Sequence, residues 1–559
     1  MAAPGRRRLR LHHLKSLWSE IKVVSSLLHS AAAQALDPIP TASPSRETTQ
    51  HHAPARPTPV GSPSQEAGET MTSISQCSIL PRNFQWLLEY SPVFPISGSK
   101  VRVITDPNEF YRVLLSRASS ASRRISLSSL YLGTEKLEKD FILAMDNRAS
   151  ICKNLRVHWL LDYTRGSRGD FNSRKMLQPL ICKYPKTFTV SLYHTPDLRG
   201  FLKWIIPQRW NETIGLQHMK LYVFDDSLLI SGANLSNDYF TNRQDRYFLF
   251  DDCPDLADFY HKIIGTVSKF SLQLQMDNTT SVLSETQVHP FLGDYNKYCS
   301  AMKVALQKVW TQECGKTSVR LLQASKRLAE KDFNKSEEFS GDSKLDQNMD
   351  TLVFPTLQMR PFNIMNDSVI TKKFLATAES NSRIKLASGY FNLTEEYMQC
   401  ILQQSLASCS ILMAHPKANG FLGARGFAGA IPAAYTQIAK LFFERLQHGG
   451  QTKRISLFEY QRTNWTFHAK GLWYYEPYQS LPCLTMIGSP NFGWRSVNRD
   501  LETQVIVATK NFGLQSALYH EQDRLFWNSS PVTKQTFTQQ DRLVPYWVRL
   551  VMPIIKVFF

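Results

Sequence analysis

An imidazole and an ammonium two residues apart on one strand face can act together on a phosphate ester. The ring attacks phosphorus while the fixed cation holds the negative oxygens. The stretch LQHMKLYVFDD (216–226) carries such a pair as His218 and Lys220, and Asp225 completes the spacing H-x-K-x4-D. The apolar run Leu221, Tyr222, Val223, Phe224 reads as a strand, so both side chains should emerge side by side. A pattern this short arises by chance, but the chain holds it twice. FHAKGLWYYE (467–476) repeats the step as His468 and Lys470.

Each copy leads into a small-residue turn ending in asparagine, SGAN (231–234) and GSPN (488–491). Eleven positions after Asn234 stands Asp245, and eleven after Asn491 stands Glu502. Upstream, RISLSSLYL (124–132) matches RIKLASGYF (383–391) at Arg, Ile, Leu, Ser and Tyr. Four features in the same order indicate an internal duplication, at a period far too long for a solenoid. The expectation is two homologous lobes sharing one site.

The elements that must position these residues follow from the pattern along the chain. DPNEFYRVLLSRA (106–118) reads as a helix with Asp106 at its N-terminus and Pro107 just inside. RISLSSLYL follows as a strand, then a helix from about Thr134, strands within 153–165 and 187–195, and the His218 strand. Such β-α-β alternation predicts an α/β fold, each lobe a mixed sheet flanked by helices. Folded structure should begin near residue 78, with a first lobe over 78–323 and a second over 351–559. The charged, apolar-poor stretch 324–350 reads as a linker between them. CGKTS (314–318) resembles the end of a phosphate-binding loop, but position 310 is Trp where that motif needs Gly, and no strand leads into it.

With 559 residues, 43% hydrophobic and 20% charged, the chain can bury a core in each of two domains. Net charge is +18; eight Lys/Arg against five Asp/Glu in residues 1–75 account for +3, leaving +15 on the body. That excess favours an anionic partner such as nucleic acid, an acidic membrane or phosphorylated substrates. Nine scattered cysteines without a C-x-x-C argue against zinc or a disulfide framework and fit a reducing compartment. The N-terminus carries Arg6, Arg7, Arg8, Arg10 and Lys15 before its first acid, Glu20, with Leu9, Leu14, Leu17 and Trp18 able to line one helical face. This is the signature of a mitochondrial presequence over 1–36, followed by a Pro/Ser/Thr-rich disordered linker over 37–77.

Two H-x-K motifs, each followed by a small-residue turn to Asn and then an acid, resemble the phospholipase D superfamily. Within it, HAKGLW and the loop ANGFLGARGFAGAIPAAYTQIAKLFFERL (418–446) are similar to the phosphatidylglycerophosphate synthase branch. The resemblance covers roughly residues 80–559. It implies transfer of a phosphatidyl group from CDP-diacylglycerol to glycerol-3-phosphate, on the route to phosphatidylglycerol and cardiolipin, through a phosphohistidine and without a metal or other cofactor. His218 is assigned as nucleophile and His468 as acid/base, although the duplication leaves the reverse open. Lys220, Lys470, Asn234 and Asn491 would hold phosphate oxygens, and Asp245 and Glu502 would each accept a ring N–H. Asp225 is counted with the catalytic set. Two departures stand out: Asn234 lies one residue closer to Asp225 than the family spacing, and Tyr475 stands where the second motif's Asp belongs.

No window has eighteen uninterrupted apolar residues, so a spanning helix is not expected. FLKWIIPQRW (201–210), with Lys203 and Arg209, and VPYWVRLVMPIIKVFF (544–559), with Arg549 and Lys556, read instead as contacts to an anionic mitochondrial membrane surface. Ordinary core packing is the competing reading for both. The rival functions are a nuclease or DNA-end phosphodiesterase of the same superfamily, and a catalytically inert lipid-binding protein. The glycine-rich and apolar stretches disfavour the first, so no nucleic-acid partner is expected. The intact His, Lys and Asn in both copies disfavour the second.

Overall fold

The computed structural model describes residues 78–324, 349–424 and 429–555. The presequence over 1–36, the linker over 37–77 and nearly all of the charged stretch 324–350 lie outside the described residues.

Two large mixed sheets repeat one topology. In the first, strands run in the order Phe188–Tyr193, Arg156–Asp162, Arg124–Ser128, Leu221–Phe224, Ser227–Ser231, Tyr247–Phe250, Val101–Ile104. The second repeats that run as Ile455–Tyr460, Ser408–Ala414, Arg383–Ser388, Lys470–Tyr475, Leu484–Gly488, Leu501–Thr509, Thr351–Met359. In each, the first three strands are parallel and the rest antiparallel. The duplication read from short motifs therefore extends to strand order. One exchange crosses it: Phe94–Ile96, which precedes the first sheet in the chain, pairs with Thr351–Met359 of the second.

Both faces of the central strands are covered, so they are apolar throughout and alternate between two cores. Leu221 and Val223 face the core shared by the two sheets, while Tyr222 and Phe224 face the outer core of the first. Trp473 and Tyr475 face the shared core, and Leu472 and Tyr474 the outer core of the second. Two equivalent helices fill the shared layer. Pro254–Lys269 places Leu256, Phe259, Tyr260, Ile263, Ile264 and Val267 inward at helical spacing, and Phe512–Trp527 adds Leu514, Leu518 and Leu525. The helix expected at 106–118 spans Pro107–Ser120, with the Asp106 carboxylate accepting from Asn108 N at 2.8 Å.

The C-terminal stretch forms a helix, Tyr546–Ile555, that starts after Pro545 and takes Pro553 in its last turn. Val548 and Met552 on one face pack against Ala434 of helix Ile431–His448. Tyr546 and Leu550 face outward. Among the described residues, no helix is long and apolar enough to cross a membrane.

Candidate active site

The two H-x-K copies meet where the sheets abut. Each motif enters beside the acid-bearing strand of the other half. Gln217 bridges Leu501 in parallel, with His218 N donating to Leu501 O at 2.9 Å. Phe467 pairs with Gln244 in parallel, with His468 N donating to Gln244 O at 2.8 Å. The residue before each histidine thus lies against the residue before the opposite acid. The result is a crossed pair of contacts. His218 Nδ1 donates to Glu502, both of whose oxygens lie at 3.0 Å, and His468 Nδ1 donates to Asp245 Oδ2 at 2.7 Å.

Both histidines precede their strands rather than lying within them: the strands start at Leu221 and Lys470. The lysines consequently fold back. Lys220 Nζ donates to His218 O at 2.7 Å, and Lys470 Nζ to His468 O at 2.8 Å. Lys470 Nζ also stands 3.7 Å from Asp245. All six of these side chains are buried. Burial, with Lys220 next, holds the His218 imidazole well below its ordinary value; burial and Lys470 do the same to His468. Burial also pulls Lys470 down to about 8, against the attraction of Asp245 and Glu502, and pushes Asp245 up to about 6. With its Nδ1–H turned to Glu502, the neutral His218 ring keeps Nε2 as a lone pair; at His468 the Lys470 ammonium also stands 2.6 Å from Nδ1 and 3.2 Å from Nε2.

Asn234 and Asn491 lie in the same buried region, each with an amide oxygen that finds no hydrogen-bond partner. Asp225 does not join them. It sits at the far end of its strand, five residues or about 16 Å beyond Lys220. Its carboxylate accepts from the backbone N–H groups of Ser122, Arg123 and Arg124 at 2.8–3.0 Å. Burial opposes its ionisation, but these donors hold the carboxyl below its usual range. Asp225, counted with the catalytic set, closes a corner of the first sheet in this placement. At the matching corner Tyr475 lies under the Arg383 guanidinium, 4.4 Å from its ring, and its hydroxyl donates to Gln522 at 2.7 Å.

His218, Asp500 and Glu502 are close enough to share a cation, but protein donors already claim these acids. Asp500 accepts from Arg495 Nε at 2.9 Å and from Leu216 N at 3.0 Å, and Glu502 accepts from His218 and Ser496.

Over 502 residues the chain is 47% identical to the mitochondrial CDP-diacylglycerol–glycerol-3-phosphate 3-phosphatidyltransferase of Gallus gallus, covering 86% of this chain and 88% of the relative. The Homo sapiens protein of the same name is 45% identical over 492 residues, with the same coverage. This chain belongs to that family. The fold also matches phosphatidylserine synthase of Haemophilus influenzae, at a TM-score of 0.61 and 17% identity, over 86% of this chain and 99% of that one. No protein-family model matches the chain.

Several residues of this family member's centre carried no motif signal. The Tyr239 hydroxyl lies 3.3 Å from His468 Nε2 and accepts from Asn234 Nδ2 at 3.2 Å. Tyr390 meets the His468 ring edge-on, with centroids 5.8 Å apart, and stacks on Tyr435 at 5.1 Å. Arg246, fully buried, donates to Glu521 from Nε and Nη2 at 2.8 Å each and to Met486 O at 2.7 Å. Gly471 of HAKG makes room for it: a Cβ there would stand 2.5 Å from Arg246 Nη1 and 2.0 Å from Met486 O. The one available signal was the repeat itself. Position five after each asparagine holds Tyr239 in one half and Ser496 in the other, a mismatch beside a matched motif.

Proposed function

We propose that the chain transfers the phosphatidyl group of CDP-diacylglycerol to glycerol-3-phosphate, yielding phosphatidylglycerophosphate and CMP in phosphatidylglycerol and cardiolipin synthesis. The observation that carries this reading is the single buried centre in which each half supplies a histidine and the other half supplies its acid, in a chain of this family. A phosphodiester phosphorus is shielded by charge, so attack needs a neutral nucleophile and compensated oxygens. His218 Nε2 attacks the phosphatidyl phosphorus; the P–N bond forms as the P–O bond to CMP breaks. CMP leaves as a phosphate and needs little protonation. Lys220 and Lys470 balance the oxygens, with Asn234 and Asn491 adding neutral amide donors. The glycerol-3-phosphate hydroxyl then gives its proton to His468 and attacks phosphorus, and the P–N bond returns its electrons to His218. Glu502 and Asp245 stabilise each imidazolium in turn.

The enzyme works at a mitochondrial membrane surface, peripherally on the inner membrane. The relatives' names support the organelle. Exposed Phe201 and Trp204 on helix Gly200–Ile205, and Tyr546 and Leu550 on the C-terminal helix, support contact with lipid. The test is incubation with CDP-diacylglycerol labelled in the phosphatidyl phosphate, with and without glycerol-3-phosphate, beside a single-stranded DNA arm. CMP release with labelled phosphatidylglycerophosphate is expected. Nucleotides released from DNA, with no CMP, would replace the reading with a phosphodiesterase.

A further inference from the structure

The two halves of the centre match in their histidines, lysines, asparagines and acids, yet their flanking charges are inverted. Four residues after Asn234 comes Asp238, and nine after comes Arg243; the same positions after Asn491 hold Arg495 and Asp500. Each half makes an ion pair from these positions, Arg243 Nη2 to Asp238 at 3.2 Å and Arg495 Nε to Asp500 at 2.9 Å. The polarity is reversed. Position nine, two residues before the acid that serves the opposite histidine, is a cation beside His468 and a carboxylate beside His218. A symmetric pair of halves has become a polar site.

The cation is only partly compensated. The Arg243 side chain is 16% exposed, and among the described residues its one ion-pair partner, Asp238, is 61% exposed and so largely answered by water. Arg243 Nε donates to the neutral Thr466 hydroxyl at 3.0 Å. Its guanidinium carbon lies 4.7 Å from the centroid of Tyr239, the residue whose hydroxyl reaches His468 Nε2. Burial works against its charge, but Tyr239 and Tyr390 beside it favour the charged form. Gly420 lies against it: a Cβ there would come 3.3 Å from Arg243 Nη2 and 3.4 Å from the Tyr390 hydroxyl. One phenol ring therefore separates the base nitrogen of His468 from a guanidinium in a polar niche. In a phosphorylated three-carbon acceptor, the free terminal hydroxyl and the phosphate are about 5 Å apart.

We propose that Arg243, in the niche formed with Tyr390 and Gly420, binds the phosphate of the acceptor and thereby selects a phosphorylated alcohol over water or glycerol. A fork of N–H donors suits a phosphate dianion. The equivalent position holds a carboxylate, Asp500, already paired with Arg495 at 2.9 Å, so the His218 side offers no such fork from that position. The assignment rests on the phosphatidyl-transfer reading.

The test uses the full chain in lipid–detergent micelles. CMP release is followed while glycerol-3-phosphate, glycerol and CDP-diacylglycerol are varied separately for the wild type, Arg243→Gln, Arg243→Lys and Gly420→Ala. Arg243→Gln is expected to raise KM for glycerol-3-phosphate at least about tenfold and to erase most of its advantage over glycerol, with KM for CDP-diacylglycerol nearly unchanged. Arg243→Lys should recover part of the loss. Gly420→Ala, which intrudes on the niche without removing its charge, should shift the same KM even if Arg243→Gln does not fold. A rise confined to KM for CDP-diacylglycerol would assign Arg243 to the donor. Equal losses with glycerol and glycerol-3-phosphate would make it a positioning residue for Tyr239 and His468. Either result overturns the proposal while leaving phosphatidyl transfer intact. Wild-type protein that releases no CMP would sink both.

Discussion

His218 and His468 are not equivalent once their Nε2 atoms are compared. The Tyr239 hydroxyl stands 3.3 Å from His468 Nε2, and the matching residue near His218 is Ser496, which turns to Glu502 instead. This fits His218 as nucleophile and His468 as base. His218→Ala should abolish CMP release even without acceptor, whereas His468→Ala should retain some release and lose transfer. Single-turnover reactions with labelled CDP-diacylglycerol, quenched in alkali, check this: label should stay on the His468→Ala protein and not on His218→Ala. Label on His218→Ala protein would reverse the roles. The lysines set the alkaline limit. Burial brings Lys470 down to about 8, so raising the pH through that value removes a positive charge from the phosphate oxygens, and kcat/KM should fall. Burial holds Lys220 well below its ordinary value too, so Lys470→Arg, whose cation persists at high pH, should alter that limb without abolishing it.

Among the elements, the acid-bearing strand Leu501–Thr509 and the short strand Arg243–Gln244 do the most to hold the centre, because each touches the opposite motif. Arg246, just beyond the second, anchors it through Glu521 on helix Phe512–Trp527. Removing one partner of a buried pair leaves an uncompensated charge, so Glu521→Ala should cost about 3–5 kcal/mol in urea unfolding. Gly471→Ala should be comparably damaging, since φ is +115° and the added carbon would collide with Met486 O. The motifs and the β-α-β succession of elements were legible in the sequence because both are local: an i, i+2 pair, a turn, an apolar run. Arg246–Glu521 and Tyr239–His468 were not, because they join residues 275 and 229 positions apart. Asp225 shows the opposite case. It completes a local motif, while its side chain answers to the backbone of residues 122–124.

For the whole molecule, the exposed aromatic and aliphatic side chains proposed to meet lipid lie on two separate helices, each tied to one wall of the centre. Helix Gly200–Ile205 precedes His218 and leaves Trp204 81% exposed. The C-terminal helix packs on Ile431–His448, whose Tyr435 stacks on Tyr390. Trp204→Glu and Leu550→Glu should each weaken sedimentation with anionic vesicles by about tenfold while leaving turnover of micellar substrate largely intact. Equal sedimentation of variant and wild type would remove those helices from the lipid contact. The crossed pairing of histidines and acids also constrains descent. Had each repeat carried its own complete pair, either copy was at liberty to decay or to acquire a new chemistry after the duplication. Here the acid of one repeat completes the histidine of the other, so neither can be remodelled without its twin. Within the crossing the two halves differ only as Asp245 against Glu502, while the larger differences surround it, Tyr239 against Ser496, Asp225 against Tyr475 and Arg243 against Asp500.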